Sequence, residues 1–289
     1  MIPIITISGD IGGGKSAVAK SLSARLGYTV VGTGGIQREI AKKRGITTLE
    51  LNRISIEDPS VDAEIDNFVI ELGKTRRDLI VDSRLAWHFI PDSFKVFLLV
   101  DPLVGAQRVF GDQRAEEENP TLEKTLDNNR QRQSLEKARF KQLYDVDFRD
   151  FGNYDVLVDT SYSSPESIAD KLAELFRHAL AGASYPRFWA HPRRLLPSRD
   201  VAEFTAEELT ELWDSVQRDG MQYGQPVELL CRNQAFVIRD GHKRVLAGQW
   251  ENLPLIPCTV LEYTESGHAV TKPSWVHAWN RALAGTPEL

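Results

Sequence analysis

Cysteine is scarce in this chain: Cys231 and Cys258 are the only two among 289 residues. They do not form a CxxC pair, so neither a disulfide framework nor a thiolate zinc site is expected, and a reducing cytoplasm is the default location. Positive charge is also in short supply. Lys plus Arg number 35 against 41 Asp plus Glu, a net charge of −6. That excludes a chain that coats nucleic acid through a global basic field, while leaving a local basic site open. No apolar run approaches the ~20 residues of a membrane span, so no membrane partner is expected. The opening residues, MIPIITISGD, lack the basic n-region and small-residue cleavage site of a secretory signal. Internal repeats and low-complexity tracts are missing too. What remains is ordinary globular composition, 42% hydrophobic and 26% charged, at a length that suits two domains.

The first part alternates strand and helix signals. Ile4–Ile7 reads as a buried strand. A helix follows from about Lys15, with Val18, Leu22 and Leu26 on one face and Gly27 as its stop. Tyr28–Val31 is the next strand, Gly32–Gly35 a turn, and Ile36–Lys43 a short helix. Ile65, Phe68, Val69 and Leu72 form an amphipathic stripe. Leu79–Val81 and Val96–Val100 are apolar, β-rich runs of the kind covered on both faces. A polar segment from Gly111 to Lys141 reads as an arm followed by a long exposed helix. Asp155–Val158 is a last strand, and Ser164-Pro165 opens a closing helix toward Ala181. This order predicts an α/β domain over 1–181, with a five-stranded parallel sheet and helices on both faces. Ala181–Ser184 is a small-residue linker. A smaller α+β domain is expected over 184–289, with a helix at Ala206–Asp219 and strands at Val227–Cys231, Ala235–Ile238 and Ile256–Leu261.

The chemistry begins in the turn after the first strand. Gly9-Asp10-Ile11-Gly12-Gly13-Gly14-Lys15-Ser16 is a complete GxxxxGK[ST] loop, and Ala17 continues into the helix. Glycines let successive backbone N–H groups turn toward phosphate oxygens, and the helix N-terminus adds partial positive charge. Lys15 is placed to reach the β- and γ-phosphates of ATP, and the Ser16 hydroxyl to ligate Mg²⁺.

The stretches GDIGGGKSAVAKSLSARLG, GTGGIQREIAKKRG, DLIVDSRLAW, RQRQSLEKARFKQLYDVDF and NYDVLVDTSYSSPE occur in the order found in cytidylate kinases. Residues 1 to about 181 therefore resemble that family of nucleoside monophosphate kinase-like P-loop enzymes. The resemblance implies a kinase using ATP and Mg²⁺. It places Thr33 and Arg38 toward the acceptor and makes Arg84 an acceptor-phosphate arginine. It makes Arg132 and Arg139 lid arginines that clamp the transferring phosphoryl group, and puts Arg114 over the nucleotide base. Converging arginines suit a transition state whose charge is spread over three equatorial oxygens. The sequence departs from the family twice: Asp82-Ser83-Arg84 replaces the usual acid-Gly-Arg, and Asp10 stands where a proline or small residue is common. Asp82, at a strand's C-terminal end, is the candidate for a general base or a Mg²⁺-water ligand. Asp10 either caps the loop or contributes to the chemistry.

The second part, through HPRRLLPSRDVAEFTAEELTELWDSVQRDGMQYGQPVELL and FVIRDGHKRVLAGQWENLPLIPCTVLEY, resembles the N-terminal domain of ParB and its sulfiredoxin-like relatives. There Asp240, Gly241, His242 and Arg244 belong to a Gly-centred turn that is an expected anion site. His242 occupies the place of a sulfiredoxin cysteine, which argues against sulfinic-acid reduction. Arg187, Arg193 and Arg194 lie among Phe188 and Trp189 with no acid between them, a pattern that suits nucleic-acid phosphates with base stacking. Alternatively, the two aromatics pin the linker to the domain. Trp275 and Trp279 read as core.

A kinase joined to a ParB-like domain resembles the DNA base-hypermodification kinases of phages. The implied acceptor is the hydroxymethyl group of 5-hydroxymethyluracil in DNA, in a host cytoplasm if the chain is phage-encoded. The alternatives are a free CMP or dCMP kinase, a serine-type amino-acid kinase in the second domain, and a nucleotide-switched DNA-binding protein. The oligomeric state is not legible in the sequence.

Overall fold

The computed structural model describes residues 4–54, 60–112, 121–232 and 235–264. Arg114, Trp275 and Trp279 lie outside them. The chain divides into two compact units, Met1–Leu157 and Val158–Leu289.

In the first unit the most apolar run forms the centre. Every residue of strand β1 (Ile5–Gly9) is buried. It pairs in parallel with β3 (Leu79–Asp82) on one side and β4 (Phe94–Leu99) on the other, and β2 (Thr29–Gly32) pairs in parallel with β3. The side chains of Ile5, Ile7, Ile80, Val81, Phe97 and Leu98 are fully inaccessible, as expected of parallel strands covered on both faces. Asp155, just ahead of β5 (Val156–Asp159), ties to β4 in both directions. Its carboxylate accepts from the Lys95 amide at 2.8 Å, and its own amide donates to the Lys95 carbonyl at 2.9 Å. The expected five strands are thus present, in the order β2-β3-β1-β4-β5.

Helix α1 (Lys15–Leu26) buries Val18, Ala19 and Leu22 and stops at Gly27 in the left-handed conformation, φ 74°. Helix α2 (Thr33–Arg44) begins at Thr33, not Ile36. Gly34 and Gly35 are inside it, because Gly32 serves as its N-cap and ends the preceding strand. Then come α3 (Thr48–Ile54), α4 (Ser60–Thr75), α5 (Ala86–Phe89) and α6 (Pro102–Gly111). Asp101 caps α6, accepting from the Leu103 amide at 2.9 Å, with Pro102 at its first position. The long helix α7 (Leu122–Tyr144) is not exposed along its length: Thr125, Glu136, Arg139 and Phe140 are buried. A polar residue can be buried when a partner waits for it, and composition alone could not show the partner.

One close approach fixes the glycine loop against α6. A Cβ on Gly12 would stand 2.3 Å from the Gly105 carbonyl oxygen, and one on Gly105 would stand 2.8 Å from that of Ile11. Backbone meets backbone there, which only glycine on both sides permits.

In the second unit Ser164 caps α8 (Pro165–Leu180), and Ile168, Leu172, Leu175 and Phe176 bury one face. This helix, expected to close the first domain, groups with the second unit. Next come β6 (Phe188–Ala190), β7 (Leu195–Leu196), α9 (Ala206–Asp219), β8 (Val227–Arg232), β9 (Ala235–Asp240), α10 (His242–Trp250) and β10 (Ile256–Thr264). Their strands lie in the order β6-β10-β8-β9-β7 and mix parallel with antiparallel pairs. Thr205 and Glu208 form a reciprocal capping box at the start of α9. Phe188 and Trp189 are buried in β6 at 3% and 1% exposure. They are core residues, so the expectation that they stack on bases is corrected. Among the described residues no helix is long and apolar enough to cross a membrane.

Candidate active site

The loop from Gly9 to Ser16 leaves the C-terminal end of β1 and opens α1. Gly9, Gly12 and Gly14 hold positive φ values of 149°, 75° and 76°, and Gly14 is the N-cap of α1. Inside the loop the Gly13 amide donates to the Asp10 carbonyl at 3.1 Å. Lys15 Nζ donates to the carbonyls of Asp10 and Gly9, at 3.2 and 3.4 Å. Burial, reinforced by the Arg84 guanidinium, lowers the Lys15 pKa to about 7. An ammonium so poorly solvated is poised for anionic oxygens.

The end of β3 supplies the opposing carboxylate. Ser16 Oγ donates to Asp82 Oδ2 at 2.7 Å, and Asp82 is buried. Thr33 Oγ1, also buried, donates to the Asp82 carbonyl at 3.4 Å. Arg38 lies half-buried one turn further along α2. The Arg84 backbone is held from two sides, its carbonyl accepting from Ser8 Oγ at 3.0 Å and from Trp87 Nε1 at 3.1 Å. Its side chain is 14% exposed.

Arg84 and α7 meet on one buried carboxylate. Glu136 Oε2 accepts from Arg84 Nε at 2.8 Å, and Glu136 Oε1 accepts from Arg132 Nε at 3.0 Å. The Arg139 guanidinium is buried nearby, 5.1 Å from the Phe140 ring centre. Burial alone would raise the Glu136 pKa, but Arg84, Arg132 and Arg139 outweigh it and bring it down to about 2. Arg84 Nη1 is buried with no hydrogen-bond partner. A buried guanidinium nitrogen in that state is a donor awaiting an anion.

Asp10 does a different job from the one its place in the loop suggests. Its Oδ1 accepts from Gln133 Nε2 at 3.1 Å and from Arg149 Nη1, and its Oδ2 accepts from the Val100 amide at 3.3 Å. The side chain is buried, so it clasps the loop to α7 and to the end of β4. Arg108 Nη1 adds a bond to the Gly12 carbonyl at 3.2 Å. Sequence reasoning missed Glu136, Gln133, Arg149 and Arg108. One signal for Glu136 existed: Arg132, Glu136 and Arg139 share a helix face at i, i+4 and i+7. Beside Arg132, an open groove is lined by Thr48, Arg53, Asn128, Asn129 and Gln131.

The expected residues fit ATP with Mg²⁺. A loop of positive-φ glycines exposes its amides, a desolvated lysine lies within it, and a Ser–Asp pair of hard oxygens sits at its edge. Ser16 would hold the metal ion, which would supply charge neutralisation on the phosphates, and Asp82 would either join it as a metal or metal-water ligand or serve as the general base. Among the described residues no group of three or more His, Cys, Asp and Glu could hold a metal by itself.

In the second unit the expected anion turn is present as backbone, with Gly241 at φ 98° capping α10. Its side chains are engaged, however. Arg244 Nη2 bonds Asp240 at 2.6 Å, and Nη1 bonds the carbonyls of Gln225 and Pro226 at 2.6 and 2.8 Å. His242 is buried. Its Nε2 accepts from the Ser198 amide at 3.1 Å, and burial lowers its pKa to about 4. Arg187 and Arg193 are exposed. Arg194 turns inward to the buried Asp159 at 2.9 Å and over the Phe236 ring, which ties it to the fold.

The Glu136 cluster carries a pH dependence. A carboxyl held near 2 when folded, against about 4.5 when unfolded, adds stability that is fully present above pH 4.5 and is lost as pH falls toward 2. Comparing wild type with Glu136→Gln by denaturant unfolding should give a deficit of about 3 kcal/mol at pH 6, shrinking to about 1 kcal/mol at pH 3. A deficit independent of pH would mean that the charge of Glu136 is not what stabilises the cluster.

Comparison with known proteins agrees with this geometry. The Cytidylate kinase-like family matches residues 4–162. The cytidylate kinase of Haloarcula marismortui is 36% identical over 167 residues, 57% of this chain and 84% of that protein. That of Methanocella arvoryzae is 34% identical over 158 residues, 55% of this chain and 87% of the relative. That of Methanothermobacter thermautotrophicus is 34% identical over 164 residues, 57% of this chain and 99% of the relative. The matched stretch holds the glycine loop, Asp82, Arg84 and the whole arginine–Glu136 cluster, and the chain belongs to the cytidylate kinase-like family, a kinase and hence a phosphotransferase.

Proposed function

We propose that this kinase transfers the γ-phosphoryl group of ATP to a pyrimidine unit, with the hydroxymethyl group of 5-hydroxymethyluracil in DNA as its acceptor. The observation that carries the reading is the chain beyond the family match. Residues 163–264 include α8 through β10 and supply most of a second compact unit, with five strands and three helices beyond the matched stretch. A kinase of free nucleotides has no use for a second unit to grip its substrate. In this reading 1–181 is the kinase domain and 184–289 a ParB-like domain, and the exposed Arg187 and Arg193 contact the DNA backbone.

The chemistry follows from the first unit's residues. The acceptor hydroxyl oxygen attacks the γ-phosphorus, the bond to the ADP oxygen breaks, and the hydroxyl proton passes to Asp82. Lys15, Arg132 and Arg139 meet the charge on the transferring group. Thr33, Arg38 and Arg84 line the acceptor side. The amide of Asn129, in the groove beside Arg132, offers the paired donor and acceptor that a base edge demands. A second reading, a CMP or dCMP kinase, is favoured by one observation: the buried, unpartnered Arg84 Nη1 suits a terminal acceptor phosphate.

Label from γ-labelled ATP should enter DNA containing 5-hydroxymethyluracil faster than it enters CMP. Asp82→Asn should lower kcat by about 10²–10⁴-fold. Arg187→Ala with Arg193→Ala should reduce the salt slope of the DNA reaction by about two. Strong CMP phosphorylation with no label in the DNA establishes the second reading instead. Rescue of Asp82→Asn by high Mg²⁺ makes Asp82 a metal-shell residue.

Lys15 gives a test that needs no acceptor. At pH 8 a lysine with pKa near 7 is mostly neutral, and the phosphates of bound ATP restore its proton. Calorimetry at pH 8 in buffers of different ionisation enthalpy should show uptake approaching one proton per ATP. Lys15→Met should abolish that uptake. Uptake that persists in Lys15→Met would assign the proton to another group.

A further inference from the structure

Glu136 is bonded in a way that mere charge balance does not require. Its two carboxylate oxygens are divided between two guanidiniums, at 2.8 and 3.0 Å. One belongs to Arg84, directly after β3, and the other to Arg132 on α7. Both are engaged through Nε, the nitrogen on the stem side of the fork, a mode that can leave a terminal nitrogen for another partner. For Arg84 this is visible: Nη1 is buried and has no hydrogen-bond partner. The Arg84 backbone is pinned separately by Ser8 and Trp87. Its side-chain direction, by contrast, depends on the Phe148 ring, 5.8 Å from the guanidinium carbon, and on Glu136. Glu136 itself is only 1% exposed, so it cannot serve as a solvated surface partner.

We propose that Glu136 is a positioning residue. It fixes Arg84 and Arg132 in one shared geometry, so that the acceptor and the transferring phosphoryl group are gripped as a unit. The inference rests on the reading of Arg84 and Arg132 as phosphate-facing arginines. Moving either acceptor or donor by about 1 Å costs on the order of 10²-fold in rate. A carboxylate that sets both arginines therefore influences the reaction without touching a substrate. Gln at this position keeps the shape but has a single oxygen acceptor, so one guanidinium is released. Asp keeps the charge but is a methylene too short to span both Nε atoms.

The experiment compares wild type, Glu136→Gln and Glu136→Asp as full-length chains, with folding checked by melting curves. Two reactions are followed: phosphoryl transfer to hydroxymethylated DNA or CMP, and ATP hydrolysis with no acceptor. Both variants should lose about 10²-fold in kcat/KM for the acceptor, with kcat lowered and acceptor KM raised. The KM for ATP should stay within about 2-fold, and acceptor-free hydrolysis should fall about 10-fold. If Glu136→Gln does not fold, Glu136→Asp gives the reading. If wild type phosphorylates neither acceptor, the proposed function fails, and the hydrolysis arm still decides the role of Glu136. Either folded variant with wild-type kcat, acceptor KM and hydrolysis would overturn the proposal, because Glu136 would then be only a structural counter-ion.

Discussion

Like charges repel, and this cleft gathers Lys15, Arg84, Arg132 and Arg139 around one buried Glu136. Removing cations from water is costly, and bringing them together costs more. The arrangement holds because Glu136 is shared out between them. Its carboxyl lies far below the usual range for that reason, and burial, with Arg84 beside it, pushes Lys15 down to about 7. The cleft is thus an anion site built in advance, with most of its electrostatic cost met by folding.

The fold delivers these groups to one place through the ends of parallel strands. β1 ends in the glycine loop and β3 ends at Asp82 and Arg84, and the two strands are neighbours in register, Ile7 opposite Asp82. The open end of a parallel sheet is where ligands of α/β proteins bind. Helix α7 closes the arrangement from outside the sheet with two clasps, Glu136 to Arg84 and Gln133 to Asp10, and Arg149, five residues beyond its end, joins the second. Gly12 and Gly105 allow α6 to press on the loop. Each clasp joins residues far apart in sequence, so the loop and α7 are positioned together.

What could be read from the sequence followed from local rules. The glycine loop, the five strands, the Gly27 stop and Ser164-Pro165 at the head of α8 are all set by neighbouring residues. Arg84 and Asp82 were legible because a buried strand runs directly into them. The role of Glu136 was not, since the partner that explains its burial is Arg84, 52 positions away. On its own helix it reads as half of an ordinary i, i+4 surface pair with Arg132. Asp10 read as either a loop cap or a chemical group, and the partners through which it anchors the loop, Gln133, Arg149 and Val100, are just as distant in sequence. In the second unit the Arg-aromatic run suggested a stacking surface. Burial of Phe188 and Trp189 and the Arg194–Asp159 pair assign part of that run to the core instead.

The central claim is that Arg84 and Arg132 act as one device because they share a carboxylate. A double-mutant cycle on kcat/KM for the phosphorylated acceptor, with Arg84→Ala, Arg132→Ala and the double variant, tests it most directly. The account predicts strong non-additivity, the double variant losing little more than the worse single one. Additive losses, each arginine contributing the same whether or not the other is present, would contradict it.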